Sequence, residues 1–175
     1  MLDPATLIQG RLFDGLDHNQ VSRLAAIARP RSLGAGECLI LLGDYADRLY
    51  SVLRGKIELC FPFSFHGTVR DICVESILPD SALGWSALVK PYRFTLSAHA
   101  AEVSEVATFL RQDLKEVFDA DPHIGYVFMR NMAEIIGSRL LRIQAMWARE
   151  LQRALAEMAE MEKEDGPHRF NRGVR

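Results

Sequence analysis

The residues best placed to do chemistry lie between 78 and 98, in the run Leu-Pro-Asp-Ser-Ala-Leu-Gly-Trp-Ser-Ala-Leu-Val-Lys-Pro-Tyr-Arg-Phe-Thr-Leu-Ser-Ala. Pro79, Asp80 and Ser81 form a turn cluster, since proline presets one turn dihedral and Asp and Ser side chains bond nearby backbone amides. Gly84 lets a backbone approach a ligand closely. Trp85-Ser86-Ala87-Leu88 can make one helical turn whose leading N–H groups would face an anion. After Pro91 the chain returns through Tyr92, Arg93 and Phe94–Ala98, a strand pattern. Arg93 has a forked guanidinium suited to an anion. Trp85 brings ring area and a donor but no acceptor. Together these residues describe a cradle for a small ligand, not a reaction centre.

Other chemistries find little support. A metal-dependent barrel enzyme needs two or three histidines and a carboxylate converging on one ion. The five histidines (His18, His66, His99, His123 and His168) are scattered and include no His-x-His pair. There is no Gly-x-Ser-x-Gly elbow and no phosphate-binding P-loop, and nothing marks an axial haem ligand. Cys38, Cys60 and Cys73 lack metal-ligand spacing and read as reduced, buried thiols. We therefore expect no catalytic residue, no metal and no cofactor.

The elements that position the cradle follow from spacing. With 175 residues and a net charge of −2, the chain suits one domain plus an extension and has no chain-wide nucleic-acid footprint. No apolar run is long enough to span a bilayer and no secretory leader is evident, so a cytoplasmic protein without membrane contact is expected. Leu7, Ile8, Leu12, Phe13, Leu16, Val21, Leu24 and Ile27 recur at helical spacing and predict two short helices, broken near Asp14–Asp17. From Ser32 to Leu110, turn residues recur every eight to twelve positions, the rhythm of a jelly-roll barrel. Phe61-Pro62-Phe63-Ser64-Phe65-His66-Gly67 reads as a hairpin loop whose phenylalanines either fold back on the barrel or form a contact patch.

Several landmarks occur in order: Gly36-Glu37, Gly43-Asp44, Ala46-Asp47, Leu49-Tyr50-x-Val52, Gly55-x-Ile57, then Leu83-Gly84-Trp85-Ser86-Ala87-Leu88 and Tyr92-Arg93-Phe94-Thr95-Leu96-Ser97-Ala98. In this the chain resembles the cyclic-nucleotide-binding domain of the catabolite activator and fumarate-nitrate regulator superfamily and of cyclic-nucleotide-dependent kinases and channels. The resemblance implies a mainly β fold with flanking helices: a β-roll, or double-stranded jelly-roll barrel. It also implies that 78–98 is the phosphate-binding cassette, with ligand contacts from Leu83, Gly84, Trp85, Ser86, Ala87, Tyr92, Arg93 and Thr95. Two positions depart from the family. Its ribose-binding glutamate falls on Trp85 and its phosphate-pairing arginine on Tyr92. Arg93 sits one place later, where strand alternation would turn it to the other face. Trp85 and Tyr92 either fill the vacated space or set what fits.

Asp121-Pro122 marks the start of the longest helix, with Asp as N-cap and Pro in the first turn. Leu140, Ile143, Trp147, Leu151, Ala154, Met158 and Met161 repeat at three-and-four spacing, a coiled-coil seam that a parallel homodimer would bury. The alternative is a helix folded back on the barrel. The expected organisation is a β-roll with N-terminal helices over 1–120, a dimerisation helix over 121–165 and a flexible tail over 166–175. Too few residues follow the helix to supply a helix-turn-helix, so direct DNA binding by this chain is not expected. The reading that results is a non-catalytic sensing module, responsive to a small-molecule effector other than cyclic AMP and signalling through its dimer helix. Three alternatives stand beside it: a true cyclic AMP or cyclic GMP binder, a ligand-free interaction scaffold, and a truncated transcription regulator.

Overall fold

In the computed structural model, which describes residues 2–164 apart from the side chains of Phe65 and of residues 162–164, helices open the chain. Helix α1 spans Pro4–Leu7, a 3-10 turn follows at Arg11–Phe13, and α2 spans His18–Ile27. The predicted break between helices is sealed by a capping box. Asp17 Oδ1 accepts from the Gln20 amide (2.8 Å) and Gln20 Oε1 accepts from the Asp17 amide (3.1 Å), so two donors that would otherwise be orphaned at a helix start are satisfied reciprocally.

Eight strands then build two antiparallel sheets: β1 (Arg29–Leu33), β2 (Cys38–Ile40), β3 (Arg48–Arg54), β4 (Ile57–Phe65), β5 (Thr68–Ile77), β6 (Ala82–Leu83), β7 (Ser97–Ala100) and β8 (Ser104–Leu110). One sheet has the order β1-β8-β3-β6 and the other β2-β7-β4-β5, the expected β-roll. The inner faces contribute Leu33, Tyr50, Val52, Ile57, Leu59 and Val106 to one apolar core. Alternation along β3 and β8 sends Leu49 and Phe109 to the opposite face, where both are fully buried. There Phe109 lies 6.0 Å from Phe13, centroid to centroid.

Two expectations about these strands change. The strand predicted at Phe94–Ala98 begins only at Ser97, because residues 92–94 bond instead to the 43–46 turn: Ala46 N donates to Tyr92 O (2.8 Å), and Phe94 N to Asp44 O (3.0 Å). The segment Phe61–Gly67 is not a loop, since β4 runs through Phe65 and the turn is only His66-Gly67. Both turn residues have positive φ, +48° and +76°, which gives a two-residue connection the twist its strands need. Phe61 and Phe63 are consequently exposed strand residues, at 47% and 48%. Helix α2 ends at Ile27, and Arg29-Pro30 opens β1, paired with β8 along one side only, where a proline lacking its N–H is tolerated.

Helix α3 (Arg111–Ala120) follows β8 without an intervening residue, and α4 covers Pro122–Glu164. Asp121 caps α4 as predicted, with Oδ1 accepting from His123 N (3.2 Å) and Ile124 N (3.4 Å). Its other oxygen pairs with Arg23 of α2 at 2.8 Å. The chain divides into two compact units, one ending at Ile135 and one starting at Ile136. The first turns of α4 belong to the first unit, where Ile124, Val127, Phe128 and Met132 are buried. Asn131, 3% exposed, fastens them by donating to Leu12 O (3.0 Å) and Asp14 O (2.8 Å). The tail predicted over 166–175 lies outside the described residues. Among the described residues no helix is long and apolar enough to cross a membrane, and no three His, Cys, Asp or Glu side chains cluster as a metal site.

Candidate functional site

The cassette begins where β6 pairs with β3 through Leu83 opposite Tyr50. Gly84 then turns the chain with φ +82° and ψ 23°. A side chain here would meet the Arg48 carbonyl oxygen at 2.9 Å and Tyr50 Cδ2 at 3.2 Å. Gly84 is therefore demanded twice, by left-handed backbone and by close approach to β3. Behind it Trp85–Ala87 form a 3-10 turn, with Ala87 N donating to Gly84 O and Leu88 N to Trp85 O, both at 2.9 Å. Those two bonds leave the Trp85 and Ser86 amides outside the turn's own ladder.

The eight expected ligand residues separate into groups. Leu83 and Ala87 point into the apolar core, and Ser86 is buried with them. Trp85 and Tyr92 are half-buried, whereas Arg93 and Thr95 are exposed. Arg93 Nη1 donates to the Gly43 carbonyl at 2.8 Å, beside an isolated bridge joining residues 45 and 93. Its guanidinium thus closes the 43–46 turn.

Tyr92, at the position of the family's arginine, has φ +58° and carries a guanidinium on its face. The Arg111 Cζ lies 4.2 Å from the Tyr92 ring centroid and 5.2 Å from that of Tyr45. Arg111 Nη2 also donates to the Tyr45 hydroxyl at 2.6 Å, and the Arg111 amide donates to Asp47 O at 2.8 Å. The Tyr45 hydrogen bond, foremost, raises the Arg111 pKa above the ordinary guanidinium value, against the opposing effect of desolvation. Cation–π contact adds to the clasp. Among the described residues, the buried side-chain polar atoms without a hydrogen-bond partner are His99 Nε2, Thr108 Oγ1 and Arg111 Nη1, and the last lies at the cassette. Sequence reasoning missed Arg111, because Tyr45, Tyr92 and Arg111 meet only through the fold and no local motif joins them.

The residues expected at a dimer seam form an open apolar stripe on the second unit. Leu140, Trp147, Leu151 and Met158 are 53%, 73%, 62% and 60% exposed. Ile143 and Ala154 are exposed too, and Leu141, Met146, Leu155 and Met161 widen the stripe.

Comparison with known proteins agrees with this geometry. The sequence profile of the family "Cyclic nucleotide-binding domain" matches residues 30–121. A crystal structure of a Geobacter metallireducens GS-15 protein is 30% identical, with TM-score 0.67, covering 80% of this chain and 99% of that one. The N-terminal domain of a transcriptional regulator from Streptomyces coelicolor A3(2) is 25% identical, with TM-score 0.63 and coverage of 77% and 94%. The Thermus thermophilus catabolite activator protein shares the fold at 24% identity and TM-score 0.59, over 87% of this chain and 63% of that one. No curated protein matches in sequence. The profile spans more than half of the chain and includes the whole cassette, and the chain belongs to the cyclic nucleotide-binding domain family.

Proposed function

We propose that this chain is a non-catalytic regulatory module that senses a small-molecule effector other than cyclic AMP or cyclic GMP and signals as a homodimer through the distal part of α4. The observation that carries the first half is the commitment of both cassette side chains at the arginine position. Tyr92 is stacked under Arg111, and Arg93 is bonded to Gly43. A cyclic phosphodiester entering the cassette meets no free guanidinium from residues 92 and 93, and Trp85 offers no acceptor to a ribose hydroxyl. The unmatched Nη1 of Arg111 favours an effector that presents an acceptor beside Tyr92. The second half is supported by the open stripe of α4, since apolar surface of that extent is rarely left in water. Occupancy would bias the dimer only through a difference in affinity between its arrangements.

Calorimetric titration with cyclic AMP and with cyclic GMP tests the first half. No heat at millimolar nucleotide is expected, and micromolar binding of either would overturn the reading. Native mass spectrometry of protein purified from its own host then separates two outcomes. A retained small molecule supports sensing. A chain that is always empty supports an interaction scaffold, a reading favoured by the apolar side chains, Phe94 and Leu96 among them, that occupy the roll below the cassette.

A further inference from the structure

The β4–β5 hairpin places two thiols opposite one another. Counting outward from the His66-Gly67 turn, Phe65 pairs with Thr68, and the sixth pair is Cys60 with Cys73. The register shifts only beyond that point, where Val74 is skipped between the Cys60–Cys73 and Leu59–Glu75 pairs. Directly opposed antiparallel residues have Cα atoms about 4.5–5.5 Å apart and side chains on one face. That separation falls inside the range of about 4.4–6.8 Å spanned by disulfides. The third cysteine is excluded by topology: Cys38 lies on β2, with β7 between it and β4, so roughly two strand spacings of about 4.8 Å separate it from Cys60.

The two thiols differ in access. Cys60 is 2% exposed, whereas Cys73 faces solvent. Cys73 Sγ donates to Glu58 Oε2 at 3.6 Å. Burial first, and then the hydrogen bond with Cys73, push the Cys60 thiol up to about 12, with Glu58 and Asp71 adding repulsion. Glu58 is itself paired with Lys56 at 3.5 Å, and Asp71 Oδ2 lies 3.7 Å from His99 Nε2.

We infer that Cys60 and Cys73 are a redox pair that closes to an intramolecular disulfide across β4 and β5 when the protein meets a low-molecular-weight disulfide. Cys73, the accessible thiol, attacks as its thiolate. One sulfur of the small disulfide bonds to Cys73 and the other leaves as a thiolate that takes up a proton. Cys60 then loses its proton and attacks the Cys73 sulfur, and the second small thiol leaves. The protein gives up two protons and two electrons, and one small disulfide takes them up to become two thiols. The buried partner makes the second step slow at neutral pH and faster as the thiolate fraction of Cys60 rises. Neither step depends on which ligand the cassette takes.

Incubation of the full chain with oxidised glutathione, read by intact mass and peptide mapping, tests the pair. The expected product has lost two hydrogens and two of its three free thiols, with residues 60 and 73 in one cross-linked peptide. Cys38→Ser should react unchanged, Cys60→Ser should stop at a single glutathione adduct, and Cys73→Ser should not close. The closing rate should rise about tenfold per pH unit between about pH 7 and 9. The inference is overturned if wild-type protein keeps all three thiols or holds a lasting adduct on Cys73. Cross-links through Cys38 or between chains, or a closing rate indifferent to pH, would also overturn it.

Discussion

Replacing Gly84 by alanine separates what the fold asks of the cassette from what a ligand asks of it. The left-handed backbone at φ +82° costs an alanine about 1–2 kcal/mol. The added Cβ would then sit 2.9 Å from the Arg48 carbonyl oxygen and 3.2 Å from Tyr50 Cδ2. The first of these is backbone of a central strand and cannot step aside, so overpacking adds about 1–3 kcal/mol. The total, about 2–5 kcal/mol, would lower Tm by about 10 °C in a chain of this size. Gly36 is the control: its φ is +80°, but nothing lies within 4 Å of its would-be Cβ, so Gly36→Ala should lose only the backbone cost, about 1–2 kcal/mol. Urea unfolding of both variants, with m unchanged, measures the difference. Equal losses, or a Gly84→Ala loss below about 0.5 kcal/mol, would show that close packing on β3 does not require the glycine.

Other expectations follow from single contacts. Asn131→Ala leaves the buried Leu12 carbonyl without its donor and the Asp14 carbonyl with only Arg130 Nη2 at 3.5 Å, and urea unfolding should show a loss of about 1–3 kcal/mol. Leu151→Glu places a charge in the open stripe of α4, and light scattering should report half the mass of the wild type if the stripe is a dimer seam. Because the folded protein holds the Cys60 thiol near 12 against an ordinary value of 9.0, the folded state keeps a proton that the unfolded chain has lost. Stability from this group is full below about pH 9 and falls as pH rises towards 12. Cys60→Ala should lack that decline in denaturant titrations at pH about 8 and 10.5, and an identical decline would refute the assignment.

Much of this architecture could be read locally. Asp17 and Asp121 announce helix starts because capping needs only a side chain and its neighbouring amides. The glycine-bearing turns were legible for the same reason, and together they were enough to recognise the family. The long hairpin loop predicted at Phe61–Gly67 misplaced the turn, and with it the arithmetic that pairs Cys60 with Cys73. Reading His66-Gly67 as a two-residue turn would have found the register. Arg93 illustrates a different limit. Alternation put its side chain in doubt, but only the fold shows the Gly43 carbonyl that takes it. Arg111 was out of reach because its ring partners lie 66 and 19 positions away along the chain.

Strand β5 has one further consequence. It is the outermost strand of its sheet, ten residues long, and shows Val69, Ile72 and Val74 to water. A long margin of unpaired backbone donors and acceptors is a template for strand addition by another chain. The guards against this are Arg70, Asp71 and Glu75 together with the kink at Val74, since charge and local twist both spoil a flat match. Neutralising those three side chains together should turn a margin that repels its neighbours into one that recruits them, seen as concentration-dependent growth of β-rich aggregates.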